Sequence, residues 1–305
     1  MNDVVSGQTV FLTWVYSPRQ RWCARVLVDS IRAFGGALSQ CPVWLYEANP
    51  AQVPCADLQD LGVRVLPLDV PEGVRGYILS SKVCACAQAE ALAAPETRSL
   101  VWLSPECLIA RPPVLFDLGR SFDAAVRPVH IKNVGLLATE RPDVFWSGVY
   151  EAVGVPDVEI TIESFVDVQH IRAYYNSAAF AVRPSVGVFR RWFECFESLV
   201  GDETYQSTAC QDEWHQIFLH QAVLSTLIST TLDPDRLRIL PPDYGYPYNL
   251  HGSVLPDRRA RTLNELVCAI YEERPINPRK MDDIAVEEPL RSWLLDRAGT
   301  YPTVD

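Results

Sequence analysis

No CxxC pair, no GxGxxG or GxxxxGK[ST] loop and no apolar run of membrane length occurs in these 305 residues. The missing glycine-rich loops disfavour a nicotinamide dehydrogenase and a P-loop ATPase, because both cradle phosphates on such a turn. The longest apolar stretches, residues 100–103 and 178–182, break off after a few positions. A membrane span needs roughly 20, so none is expected and the protein is read as soluble. A basic excess is missing too. Thirty-eight acidic residues face 27 basic ones, for a net charge of −11 and a pI near 5.0. That field opposes nucleic acid and anionic lipid, whereas a small anionic ligand can still be held by a few local cations. The chain opens Met1-Asn2-Asp3, acidic where a secretory leader would be basic, and no cleavable apolar region follows before the charged stretch 19–25. A cytoplasmic location is therefore expected.

What is present is an ordinary globular composition, 48% hydrophobic and 21% charged, in a chain of one large or two small domains. Nine cysteines are scattered along it, odd in number and mostly in apolar company, as at Cys195 in the segment Phe193-Glu194-Cys195-Phe196. That pattern predicts reduced core thiols, not a zinc site or a disulfide frame.

The N-terminal half alternates β-rich runs with helical patterns, the mark of an α/β layer architecture. Strands are predicted over 9–15, 43–46, 63–66, 100–103 and 122–129. One helix follows Ser17-Pro18, with Cys23, Val26, Leu27, Ile31 and Phe34 on one face and Gly35-Gly36 as its stop; another runs from about 80 to 93, capped by Ser80 or Ser81 and stopped by Pro95. Residues 144–171 read as an irregular acidic and aromatic insertion. Beyond it a strand is expected over 178–182, then a helix with the core stripe Phe189, Trp192, Phe193, Phe196 and Leu199. A second helix follows Asp212, with Trp214, Ile217, Phe218, Gln221 and Leu224 on one side. Residues 241–247 read as an extended loop, and 263–271 and 290–294 as helical. One domain with a C-terminal elaboration results: 1–255, and a helical extension over 256–305.

The most informative segment, residues 80–113, is SSKVCACAQAEALAAPETRSLVWLSPECLIARPP. It resembles the nucleotide-sugar core of GT-A-fold glycosyltransferases: a helix, a hydrophobic strand ending in Asp-x-Asp, then a short strand leading to a proline-rich turn. Further matches follow in order over residues 9–251, including Tyr175-Asn176-Ser177-Ala178 before a strand, Asp212-Glu213 at a helix start and LPPDYGYPYNLH over 240–251. The resemblance implies a GT-A-like, Rossmann-like mixed sheet flanked by helices and a donor of the UDP, GDP or dTDP type.

One departure stands out, because Ser104-Pro105-Glu106 replaces Asp-x-Asp. A manganese or magnesium ion wants several hard oxygen ligands, and this triplet offers one carboxylate. The resemblance leaves three outcomes. Glu106 holds Mn2+ or Mg2+ with help from His251, placed where related enzymes carry a late histidine. Alternatively, fixed cations meet the leaving-group charge, Lys82 first and Arg25 second. In the third outcome the site is dead. Thr13, Tyr16 and Glu47 lie where the fold holds base and ribose, Ser104 and Asn176 near the diphosphate and sugar, and Asp212 or Glu213 where an acceptor proton would be taken. Each has a plainer reading: Glu106 a solvated loop acid, His251 a loop residue capping a carbonyl, Lys82 an exposed helix cation, Asp212 an N-cap, Asn176 an Asx-turn and Trp14 core. Sugar transfer from a nucleoside diphosphate to an unidentified acceptor is the leading expectation. A non-catalytic binding relative is its rival, and a sugar-phosphate nucleotidyltransferase is weakened by the absent glycine-rich signature.

Overall fold

Strand β1 (Thr9–Val15) is buried along its whole length. Val10, Leu12 and Trp14 enter one hydrophobic cluster while Phe11 and Val15 enter another, so the strand separates two layers of core. The computed structural model describes residues 8–272 and 284–298; the acidic start at 1–3 lies outside them. Helix α1 (Pro18–Phe34) crosses to β2 (Val43–Glu47), and β3 (Val63–Pro67) follows. Helix α2 (Ser80–Leu92) leads to β4 (Ser99–Leu103), β5 (Cys107–Ile109) and β6 (Ala124–Val126). Next come α3 (Val144–Val153), the hairpin β7 (Thr161–Glu163) and β8 (His170–Arg172), and β9 (Ala179–Val182). Helices α4 (Val188–Gly201), α5 (Glu203–Ala209) and α6 (Glu213–Thr231) precede β10 (Leu237–Ile239), β11 (Tyr244–Pro247), β12 (Cys268–Ile270) and α7 (Leu290–Ala298).

Among the described residues seven strands form the main sheet in the order β10-β6-β9-β4-β1-β2-β3, and β9 alone runs antiparallel to its neighbours. Helices α2, α3, α4 and α6 cover one face, where Trp192 and Phe196 of α4 are fully buried. The other face is covered by α1 and a small sheet, β11-β12-β5. The expected mixed α/β sheet flanked by helices is the observed one. No described helix is long and apolar enough to cross a membrane.

Local departures have identifiable causes. Helix α2 is not capped by Ser80 or Ser81; Leu79 precedes it with φ of 61°, a left-handed turn that swings the chain into the helix. The stretch 144–171 is largely ordered, because Asp143 caps α3 by accepting the Trp146 N–H at 2.9 Å. Helix α6 buries residues 219–229 and leaves Trp214 58% exposed, so the face assigned to its first turn was the wrong one. The run 263–271 is not helical: a short 3-10 turn precedes β12, whose two partners satisfy its backbone groups. Residues on both sides of position 255 thus share the small sheet.

Candidate active site

The carboxyl ends of β1, β4 and β6 and the start of β9 share one edge of the main sheet, the edge where open α/β sheets bind ligands. At β1 the chain turns through a reciprocal capping box: Ser17 Oγ accepts the Gln20 N–H at 3.2 Å, and Gln20 Oε1 accepts the Tyr16 N–H at 3.2 Å. The box fixes the first turn of α1, where Arg19 donates through Nη2 to the Glu272 carbonyl. Tyr16 is half exposed, with its ring 4.8 Å from that of buried Trp14.

At β4 the Ser104 N–H donates to the Ala178 carbonyl at 2.8 Å, tying the Ser104–Glu106 turn to β9. Trp102 Nε1 reaches Ser104 Oγ at 3.4 Å, and the Tyr271 N–H donates to the Glu106 carbonyl at 3.0 Å. Burial pushes the Glu106 carboxyl above its ordinary range, opposed by a bond with Gln20 and by the charges of Arg19 and Lys82.

Lys82 is neither exposed nor directed at solvent. It is 3% exposed, donates through Nζ to the Ser177 carbonyl, and lies 3.4 Å from His220 Nε2 and 5.5 Å from the centre of the Trp102 ring. Burial pushes its ammonium down to about 7. His220 Nδ1 lies 2.7 Å from the Ile217 carbonyl, which assigns the proton to Nδ1 and leaves Nε2 to accept. Ser177 Oγ bonds Gln221 Oε1 at 2.9 Å, so Lys82, Ser177, His220 and Gln221 make one buried polar cluster behind the edge. Asn176 makes an Asx-turn, its Oδ1 accepting the Ala178 N–H at 2.8 Å.

Helix α6 precedes β10, which parallels β6, and its Gln221 and Ser225 side chains accept from the Ser177 and Tyr175 N–H groups beside the start of β9; its N-terminus therefore lies at the same edge. Asp212 caps it, Oδ1 accepting the His215 N–H at 3.0 Å, and Oδ2 lies 2.7 Å from His215 Nδ1. These bonds hold the Asp212 carboxyl below its ordinary range. Glu213, in the first turn, is exposed. A cleft of about 720 Å3 opens here, lined by Lys132, Arg141, Asp212, Trp214 and His215, with the Trp214 ring stacked on Phe218 at 5.8 Å and 13°. His215 and His220 are five residues apart, about 7.5 Å along the helix axis, so cleft and buried cluster adjoin.

Of the remaining candidates, Thr13 is buried at 1% exposure with an unpartnered hydroxyl, whereas Glu47 accepts the Cys55 N–H at 2.6 Å and Arg25 lies 3.7 Å from Asp57. His251 is 2% exposed, with Nδ1 2.8 Å from the Tyr246 hydroxyl. The late residue that reaches the β4 turn is Tyr271, which follows β12, and the next residue, Glu272, accepts from Arg19 at the start of α1. Among the described residues no three His, Cys, Asp or Glu side chains converge as metal ligands. Sequence reasoning passed over Arg19, Gln20, His215 and Trp214. The Ser17-x-x-Gln20 and Asp212-x-x-His215 spacings carried the signal for two of them, Gln20 and His215.

Among curated proteins, none matches this sequence. Solved structures do. The galactosyltransferase LgtC, solved in complex with donor and acceptor sugar analogs, superposes with a TM-score of 0.52 at 14% identity, over 97% of this chain and 98% of that one. Mouse xyloside xylosyltransferase 1 gives 0.50 at 12% identity, over 88% and 99%. The bifunctional glycosyltransferase WbbM gives 0.53 at 13% identity, over 97% of this chain and 53% of that one. At these identities the likeness establishes the GT-A fold. The family described as the Rhodobacterales glycosyltransferase domain matches residues 11–231. With that match over most of its length, the chain belongs to the Rhodobacterales glycosyltransferase domain family and carries the GT-A fold.

Proposed function

We propose that the protein transfers a glycosyl group from a nucleoside diphosphate sugar, of the UDP, GDP or dTDP type, to a hydroxyl of a carbohydrate acceptor. The observation that carries this reading is the placement of the cleft at α6 on the same sheet edge as the ends of β1 and β4, so that two ligands would meet there. The donor would lie against Tyr16, Arg19 and the Ser104–Glu106 turn, and the acceptor in the cleft, its apolar face on Trp214. In the net reaction the bond from the sugar C1 to the β-phosphate oxygen breaks, its electron pair leaving with the nucleoside diphosphate. A bond from the acceptor oxygen to C1 forms, and the hydroxyl proton is lost. His215 is suited to take that proton: its Nδ1 faces the Asp212 carboxylate, which favours the tautomer with Nε2 unprotonated. Asp212 then acts as cap and positioning residue, while Glu213, exposed in the same turn, does not line the cleft. Nine free buried cysteines support a reducing compartment, the cytoplasm, as the place of reaction.

The test is a screen of nucleotide sugars against mono- and oligosaccharide acceptors, reading released nucleoside diphosphate and glycosylated product. His215→Ala should lower turnover about a hundredfold or more with donor affinity retained. Asp212→Asn, which keeps the cap, should lower it less. No product from any pair, or full turnover by His215→Ala, would refute the assignment.

A further inference from the structure

The imidazole of His215 is bonded at one corner, from Nδ1 to Asp212 Oδ2 at 2.7 Å. That bond alone does not fix a ring. The last torsion of a histidine side chain is broad, and the Asp212 side chain is more than half exposed, so water competes for its carboxylate. A group that takes a proton from a bound hydroxyl has to be aimed as well as basic. The plane of the ring therefore needs a second contact.

That contact is Phe145, in the first turn of α3. Its ring centre lies 4.9 Å from that of His215, with the planes crossing at 67°. Edge-to-face packing prefers particular angles, unlike an aliphatic contact, and shifts an equilibrium between ring orientations by a factor of about two to ten. Phe145 is itself firmly seated. It is buried, its ring crosses that of Trp146 at 5.8 Å and 88°, and it stacks on Tyr205 of α5 at 6.3 Å and 26°. The Tyr205 hydroxyl donates to the Phe145 carbonyl at 2.9 Å, so one neighbour holds both the ring and the backbone. Tyr205 in turn packs on Gly148, one turn further along α3, where a Cβ would fall 2.2 Å from the tyrosine Cε2. The tyrosine fills the space that any larger residue would occupy. The same stretch of α3 supports the cleft elsewhere, because Trp146 Nε1 donates to the carbonyl of Val134, a lining residue, at 2.7 Å.

We propose that Phe145, backed by Tyr205 across Gly148, is a positioning residue that sets the His215 ring to take the acceptor proton. The proposal rests on the reading of His215 as the base and extends it one layer into the core. Phe145 does not line the cleft, so its loss acts on the ring and leaves sugar binding alone. Gly148 acts at a further remove, through the tyrosine.

The experiment pairs steady-state kinetics with heteronuclear NMR of the histidine ring nitrogens in the full-length protein, His215 being assigned by the signals missing from His215→Ala. At alkaline pH the wild type should show a single His215 tautomer, protonated on Nδ1. Phe145→Leu should show a mixture of the two tautomers, and its kcat should fall about two- to tenfold while KM for donor and acceptor holds. Gly148→Ala, which displaces Tyr205 without touching His215, should behave alike. Tyr205→Phe keeps the stacked ring, loses one hydrogen bond and should fall between these variants and the wild type. Thermal melts report folding, and where Phe145→Leu or Gly148→Ala is unfolded Tyr205→Phe decides by the same two readouts. A mixture already present in the wild type, a wild-type tautomer in the folded variants, or a mixed one with undiminished kcat overturns the positioning role and leaves sugar transfer standing. So does a raised acceptor KM at unchanged kcat, which would make Phe145 a shaper of the cleft. No turnover by the wild type with any donor and acceptor overturns sugar transfer, and the positioning of its base with it.

Discussion

The ends of β1 and β4 and the first turn of α6 share one sheet edge, yet they are built in opposite ways. Around the ends of β1, β2 and β4 polar side chains are engaged by the protein itself: Lys82 with the Ser177 carbonyl, Asn176 with the Ala178 N–H, Glu47 with the Cys55 N–H. At α6 the groups face outward, with Trp214 more than half exposed and Asp212 and Glu213 at the surface. The strand-end side, proposed above for the donor, is thus an extension of the core, where groups are held rigidly and any change is felt as stability. The α6 side, proposed for the acceptor, is a surface cleft on a capped helix, where recognition can change at little cost to the fold.

The sharpest way to break that distinction is Trp102→Ala. Trp102 is fully buried in β4 beneath Lys82, and its indole bonds Ser104. Its removal should cost about 3–5 kcal/mol of unfolding free energy, read by urea denaturation. A loss under about 1 kcal/mol would mean that the β4 end is no more part of the core than the cleft is.

Lys82 sharpens the comparison through pH. Burial pushes its ammonium from 10.5 down to about 7. In the unfolded chain it stays protonated to beyond pH ~10, so above about 7 the unfolded state holds the extra proton and folding stability rises with pH. The slope contributed is at most about 1.4 kcal/mol per pH unit. Buried thiols such as Cys84, pushed up to about 12, act in the opposite sense once unfolded cysteine ionises, so the informative window is roughly pH 7 to 8.5. Lys82→Met should flatten the rise in melting temperature across that window relative to the wild type. Parallel slopes in the two proteins would show that Lys82 keeps its proton.

The same contrast explains what could be read from the chain before its fold was known. The strand β1 was legible because residues 9–15 form a short run of β-branched and aromatic residues, and the pleat then sends Val10, Leu12 and Trp14 to one core and Phe11 and Val15 to the other. The cap Asp212 was legible for the same reason, since cap and capped N–H are three residues apart. Lys82 was not, because its acceptor, the Ser177 carbonyl, is 95 residues away, and nothing adjacent marks a lysine as buried. His251 looked like the late ligand by its position in the chain. The strand register instead brings Tyr271 to Glu106, through a β12 whose short apolar run is indistinguishable from a helical turn by periodicity alone. Local chemistry was readable, and whatever depended on strand pairing was not.

Trp214→Ala tests the surface half of the contrast and carries the smallest expected effect. The indole stacks on Phe218 with most of its area in water, so its loss removes little from the core, and stability should stay within about 0.5 kcal/mol of wild type. In the cleft the same ring is a broad apolar surface beside Asp212 and His215, where the less polar face of a sugar ring would rest. An aromatic contact of that kind is worth about 0.5–1.5 kcal/mol, so KM for the acceptor should rise about two- to tenfold while KM for the donor and the melting temperature hold. Trp214→Phe, which keeps a flat face, should recover part of the loss. A variant that melts several degrees lower would assign Trp214 to the core after all. An unchanged acceptor KM would move the acceptor out of this cleft and leave His215 without a substrate proton to take.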